Sequence, residues 1–212
     1  RGLHIEKTSP DERVIALAGN PNVGKSTVFN ELTGLNQHTG NWPGKTVTNA
    51  QGRCTHNRIP YILVDIPGTY SLMAHSAEEE VARDFICFGE PDAVVVVCDA
   101  TCLERNMNLV LQTMEITNRV VVCVNLMDEA KRKGIRVNLD QLSDNLGVPV
   151  VGASARSGKG LQELMDEVEA VTSGRRECRP SRIRYLPVVE EEIRQLEPAV
   201  SARLEDRLNS RW

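Results

Sequence analysis

The chain has 212 residues, a formal charge of −4 and six cysteines. That length accommodates one substantial core and a small appended module. The interspersed charges exclude the polycationic surface that binding to nucleic-acid phosphates demands, so no nucleic-acid partner is expected. No run approaches the roughly 18–20 apolar residues that a bilayer-spanning helix requires, so this piece is expected to be soluble.

The chain starts at Arg1, and residues 1–13 carry no firm periodicity. They are read as an N-terminal extension, either part of a longer protein or vector-derived. Residues 14–18 form an apolar run, followed by Gly19-Asn20-Pro21-Asn22-Val23-Gly24-Lys25-Ser26 and a helix-compatible stretch at 26–32. The pattern G-x-x-x-x-G-K-[ST] between strand and helix is a phosphate-binding loop. Its glycines let backbone N–H groups close around phosphates, its lysine neutralises their charge, and its hydroxyl reaches Mg²⁺. The contacting set is read as Asn20, Asn22, Val23, Gly24, Lys25, Ser26 and Thr27, with Lys25 contributing to catalysis.

A polar, glycine-rich loop follows, Thr39-Gly40-Asn41-Trp42-Pro43-Gly44-Lys45-Thr46, long enough to fold over a nucleotide. Thr46 is the expected second hydroxyl on Mg²⁺ and a catalytic residue, with Thr48 the alternative if the register differs. Residues 49–60 read as an edge strand antiparallel to a strand at 62–64. At the carboxyl end of that strand stands Asp65-Ile66-Pro67-Gly68, where Asp65 can hold a water of the Mg²⁺ shell and the Gly68 N–H can approach the terminal phosphate. Ligands of open parallel sheets gather at this edge.

Further apolar runs at 93–98, 120–124 and 148–151 alternate with amphipathic segments at 78–88, 103–116, 139–146 and 161–171. Continuous Val/Ile/Leu runs imply strands covered on both faces, hence a mostly parallel, six-stranded α/β sheet with helices on both sides. Asn138 is placed to cap the helix at 139–146 and Gly147 to end it. The cysteines lack C-x-x-C spacing and fit free thiols in a reducing cytosol, with metal ligation by Cys98 and Cys102 the weaker reading.

Asn125-Leu126-Met127-Asp128 follows the strand at 120–124. Asp128 can accept from the N1–H and exocyclic amine of guanine, a pair that adenine does not offer, which points to GTP and GDP. Asn125 would brace the neighbouring loops, and Ser154 and Ala155 would present backbone N–H to guanine O6. Hydrolysis of such a nucleotide needs positioned charge and an oriented water more than covalent help. Thr69 stands where a water-orienting glutamine is common, and no arginine finger can be named; Arg53 and Arg105 are read as scaffold charges. After Thr172 the texture turns charged, which sets a G domain at 14–172 and a linker with a partial helical segment at 173–212, in two short helices on either side of Pro198.

These motifs together resemble the cytosolic G domain of the ferrous iron transport protein B family, a Ras-like P-loop GTPase fold. The discriminating strings are Gly40-Asn41-Trp42-Pro43-Gly44, Asp65-Ile66-Pro67-Gly68-Thr69-Tyr70-Ser71-Leu72, and Asp99-Ala100-Thr101 with Leu103-Glu104-Arg105-Asn106. The resemblance implies a GTPase on the cytoplasmic face of the bacterial inner membrane, attached to a transmembrane Fe²⁺ permease region absent here, with residues 187–212 as part of a helical domain. It also implies K⁺ bound by Asn22 with the carbonyls of Gly40 and Trp42, a cation standing in for an arginine finger. Thr48 and Cys102 depart from the family pattern, where an acidic residue and an asparagine are frequent. The competing readings are a soluble ribosome- or tRNA-associated GTPase and a slow-turnover GTP/GDP-sensing module. The unfinished helical end leaves self-association as a homo-oligomer open.

Overall fold

The computed structural model describes residues 5–34, 36–182 and 184–209, with side chains to residue 203. The first four residues of the extension and Trp212 lie outside the described residues. The elements run β1 (Arg13–Gly19), α1 (Lys25–Thr33), β2 (Gln37–Asn41), β3 (Thr48–His56), β4 (Ile59–Asp65), α2 (Ala77–Phe88), β5 (Ala93–Asp99), α3 (Leu103–Ile116), β6 (Val120–Asn125), α4 (Met127–Arg132), α5 (Leu139–Leu146), β7 (Val150–Gly152), a 3₁₀ turn (Ala155–Ser157), α6 (Leu161–Thr172) and α7 (Pro187–Asn209).

The described strands make one seven-stranded sheet ordered β2-β3-β4-β1-β5-β6-β7. From β4 to β7 it is parallel, whereas β2 and β3 run antiparallel to their neighbours. Strand alternation sends Val14, Ala16 and Ala18 to one face, with side chains of α2, α3 and α5, and Ile15 and Leu17 to the other, with α1 and α6. The apolar runs of β1, β5 and β6 are therefore buried on both sides, as their lack of polar alternation requires. Cys98 and Cys123 fall in opposite layers, and the cysteines are free.

Seven strands rather than six arise because Gln37–Asn41, the last three residues of which are the expected start of a loop, pairs with Thr48–Gly52. Its five residues are all exposed, so no hydrophobic period betrays it. The edge of the sheet is thus β2, and β3 lies one place inside it. A buried Val or Leu contributes roughly 1.5–3 kcal/mol. A ladder hydrogen bond nets about 0.5–1.5 kcal/mol, so β2 is the strand held least firmly.

Helix ends follow their capping chemistry. Ser76 accepts from Glu79 N–H at the start of α2, and Asn138 accepts from Gln141 N–H at the start of α5. Gly147 ends α5 at φ 71°, where a Cβ would meet the Arg179 carbonyl at 1.9 Å. The segment after α6 packs there, with Arg179 N–H donating to Gly147 O and Ser181 N–H to Leu146 O. By compactness the chain divides into one unit ending at Ser181 and a second beginning at Arg182. In the second unit a single 23-residue helix spans Pro198, where two short helices were expected. No helix among the described residues is long and apolar enough to cross a membrane.

Candidate functional site

Between β1 and α1 the chain turns through two left-handed residues, Asn22 at φ 66° and Gly24 at φ 80°. Asparagine is among the few side chains that tolerate this region. Glycine is required at position 24, because a Cβ would stand 2.4 Å from Asn125 Nδ2. The turn encloses a concavity of about 520 Å³ lined by Asn20, Pro21, Asn22, Gly24, Lys25, Ser26, Thr27 and Gly68. It opens at the N-terminus of α1, where unpaired N–H groups and the helix dipole favour an anion.

Asp65 ends β4, and its carboxylate pairs with the Lys25 ammonium; their side chains are 16% and 10% exposed. Burial pushes the Asp65 carboxyl above its ordinary range, and Lys25 opposes that rise. Thr69 N–H donates to Gly19 O at 3.1 Å and Ile66 N–H to Leu17 O at 3.2 Å, so the segment after β4 is tied to the phosphate loop. The Ser26 hydroxyl and the Asp65 carboxylate are hard oxygen donors of the kind Mg²⁺ takes, and they sit beside the cation that polyphosphate would draw off Asp65.

A second cluster is built around Asn125, which is buried. Its Nδ2 donates to Val23 O at 3.1 Å and its Oδ1 accepts from Ala155 N–H at 3.0 Å. One side chain thus ties the phosphate loop to the segment after β7. The Ala155 N–H is already engaged, so a guanine oxygen there would share it. Asp128 is exposed in the first turn of α4, and its N–H donates to Ser154 Oγ at 3.1 Å. Leu126 at φ 62° makes the turn that starts this helix, a short one that sequence periodicity had not revealed.

The loop after β2 lies elsewhere. Thr46 is exposed, and neither it nor Gly40 nor Trp42 lines the phosphate-loop concavity. Gly40 lines a separate one beside Asn49 and Arg53. Trp42 O accepts from Lys45 N–H at 3.0 Å, and Trp42 N–H donates to Val47 O at 2.8 Å. The donors read for Mg²⁺ therefore divide, with Ser26 on the concavity, Asp65 paired with the Lys25 that lines it, and Thr46 doing neither. Those read for K⁺ also divide, with Asn22 on the concavity and two carbonyls off it.

Several positioning residues carried no signal in the sequence. Asn106 is buried; its Nδ2 donates to Cys102 O and its Oδ1 accepts from Asp99 N–H. Asn108 Nδ2 donates to Tyr70 O, and Gln112 Oε1 accepts from Leu72 N–H, pinning the segment after Gly68 to α3. The strings containing Asn106 and Tyr70 had been noticed, but the contacts join residues 38–40 apart. Arg53 is a scaffold charge, paired with the buried Glu12. A larger concavity of about 990 Å³ lies between the start of α3 and residues 135–138. It contains no phosphate-loop residue, so convergent donors and not size identify the site.

The family model of ferrous iron transport protein B matches residues 13–168. The Fe(2+) transport protein A/Fe(2+) transporter FeoB fusion protein of Porphyromonas gingivalis is 38% identical over 192 residues, 90% of this chain and 23% of that protein. The Fe(2+) transporter FeoB of Escherichia coli strain K12 is 42% identical over 154 residues, 71% of this chain and 20% of the relative. The chain thus spans less than a quarter of the length of these relatives. Among solved structures, the cytosolic domain of the T. maritima FeoB iron transporter in GDP form II is 37% identical, with TM-score 0.84, covering 88% of this chain and 74% of that one. Its GMPPNP form gives TM-score 0.83 at the same identity, covering 88% of this chain and 73% of that one. The G domain from Methanococcus jannaschii is 43% identical with TM-score 0.68, covering 77% of this chain and 99% of that one. A Ras-like sheet with a phosphate loop at its carboxyl edge, matched along its length by these relatives, makes this chain a member of the ferrous iron transport protein B family, carrying its N-terminal G domain.

Proposed function

We propose that the chain binds GTP and GDP with Mg²⁺ and hydrolyses GTP with K⁺ stimulation, its nucleotide state gating Fe²⁺ uptake by an attached permease region at the bacterial inner membrane. The work is assigned to residues 14–172, with 1–13 an extension and 173–212 a linker and partial helical domain. The observation that carries the reading is the concavity at the start of α1, where Lys25, Ser26 and the loop N–H groups converge beside Asp65. Relatives solved in GDP and GMPPNP forms support it.

In this reading Gly24, Lys25, Ser26 and Thr27 hold the phosphates, with Asn20, Asn22 and Val23 completing the loop and Gly68 facing the terminal phosphate. Ser26 and Thr46 would ligate Mg²⁺, with Asp65 in its outer shell; Mg²⁺ and K⁺, when bound, supply positive charge to the transferring phosphoryl group. Asp128 reads the guanine edge, and Asn125 holds Ser154 and Ala155 against the base. Asn22, Gly40 and Trp42 would serve K⁺ only after the turn at Trp42–Lys45 opens. Single-turnover hydrolysis in KCl and NaCl tests the reading, with faster turnover expected in KCl. Equal rates remove the K⁺ role of Asn22, and no hydrolysis in either removes the enzyme. Asp128→Asn should shift preference from GTP toward a xanthine nucleotide, and unchanged selectivity would end the base assignment.

A further inference from the structure

The loop carrying Thr46 is attached to α2 at two points. Trp42 is buried, with its ring edge-on to Phe85 at 5.4 Å between centroids and 70° between planes. Lys45 Nζ donates to Glu80 Oε2 at 2.6 Å, in the first turn of the same helix. Between the anchors the Trp42–Lys45 turn and the Trp42–Val47 hydrogen bond make the loop a compact unit. Phe85 and Glu80 lie five residues apart in α2, so plug and ion pair hold one stretch of helix. The indole Nε1–H of Trp42 is buried without a hydrogen-bond partner. A buried donor left unpaired penalises this arrangement and favours any that returns it to water.

We propose that residues 42–47 and α2 form a two-point latch, which parks Thr46 away from the phosphate loop and makes the loop and α2 release as one unit. The response to nucleotide rests on the function proposed above: movement of Thr46 toward the phosphates would have to break both anchors, so α2 would respond to occupancy. The aromatic anchor supplies most of the holding. The Lys45–Glu80 pair is a third or more exposed and contributes as surface pairs do.

The test uses the full chain carrying Trp212→Phe, which leaves Trp42 as the one tryptophan of the two in the sequence. Without nucleotide, Trp42 should resist acrylamide quenching. Glu80→Gln or Lys45→Ala should raise the opened population about 1.4- to 5-fold, and Phe85→Leu about 2- to 12-fold. The reversed pair Lys45→Glu with Glu80→Lys should restore the parent value. Hydrogen exchange in the nucleotide-free variants should rise in residues 42–47 and in α2 together. A freely quenched Trp42 in the parent, or variants that loosen the loop and leave α2 unchanged, overturns the latch. GMPPNP with Mg²⁺ is then added, with binding followed by calorimetry. Binding that frees Trp42 and α2 together supports the coupling, and binding that moves neither overturns it. Absence of binding condemns the nucleotide reading alone, because the nucleotide-free arm still judges the latch.

Discussion

Two regions read as parts of the nucleotide site are built on opposite principles. At the first, one buried asparagine joins the phosphate loop, β6 and the segment after β7, with both ends of its amide engaged. At the second, the Thr46 loop leaves an edge strand with no buried side chain and rests on α2 through one ring contact and one partly exposed ion pair. The Asn125 end is held from two sides and the Thr46 end by two light anchors. A nucleotide-dependent device needs both, since a rigid frame holds the ligand while a weakly held element responds to it.

The largest effect that could break this contrast is at Asn125. Asn125→Ala leaves Val23 O and the Ala155 N–H without their buried partner, and unfolding in urea should register a loss of about 2–5 kcal/mol. A loss under about 1 kcal/mol would mean that the frame is not rigid. The next concerns the strand beside the parked loop, where Arg53 of β3 pairs with Glu12. Burial works to raise the Glu12 carboxyl, but hydrogen bonds from Thr8 and Ser9 and the Arg53 contact outweigh it and hold the group below its ordinary range. An acid shifted down contributes stability that is fully present above its unfolded value and lost as pH falls through the folded one. Glu12→Gln should therefore cost about 1–2 kcal/mol at neutral pH and nothing in acid. A pH-independent difference would detach Glu12 from the ion pair.

The smallest effect is a gain. Cys102 is the N-cap of α3 and makes no side-chain cap hydrogen bond. Cys102→Asn should stabilise the chain by about 0.5–1.5 kcal/mol, read as a raised thermal midpoint. Because α3 pins the segment after Gly68 through Asn108 and Gln112, the gain should leave the Trp42 loop unaffected; a change in Trp42 quenching would blur the division between frame and parked loop.

Much of the fold and of the frame was legible in the sequence. The double-sided strands announced themselves as unbroken Val runs, and Asn138 and Gly147 marked α5 by cap chemistry alone. Gly24 and Lys25 were readable because one strand, turn and helix bring them together with little help from distant elements, and Asp65 because it ends an apolar strand. β2 was not legible, because an edge strand of Gln, His, Thr, Gly and Asn has neither alternation nor an apolar residue. Nor was α4, whose six residues bury only Ala130. Pro198 suggested a break, yet the helix continues through it.

What the sequence by itself determined is the local chemistry: a phosphate loop, a carboxylate at a strand end, an aspartate at the start of α4 and the family to which these belong. Each depends on residues a few positions apart, whose geometry short-range sterics and hydrogen bonds dictate. Only the tertiary structure decided that Lys25 neutralises Asp65 and that Asn125 clamps the loop beside Gly24. It alone put Trp42 under α2, with Thr46 outside the concavity. Those contacts join segments 40 to 102 residues apart. Their partners are chosen by which faces the folded sheet brings together, and a linear pattern does not encode that choice.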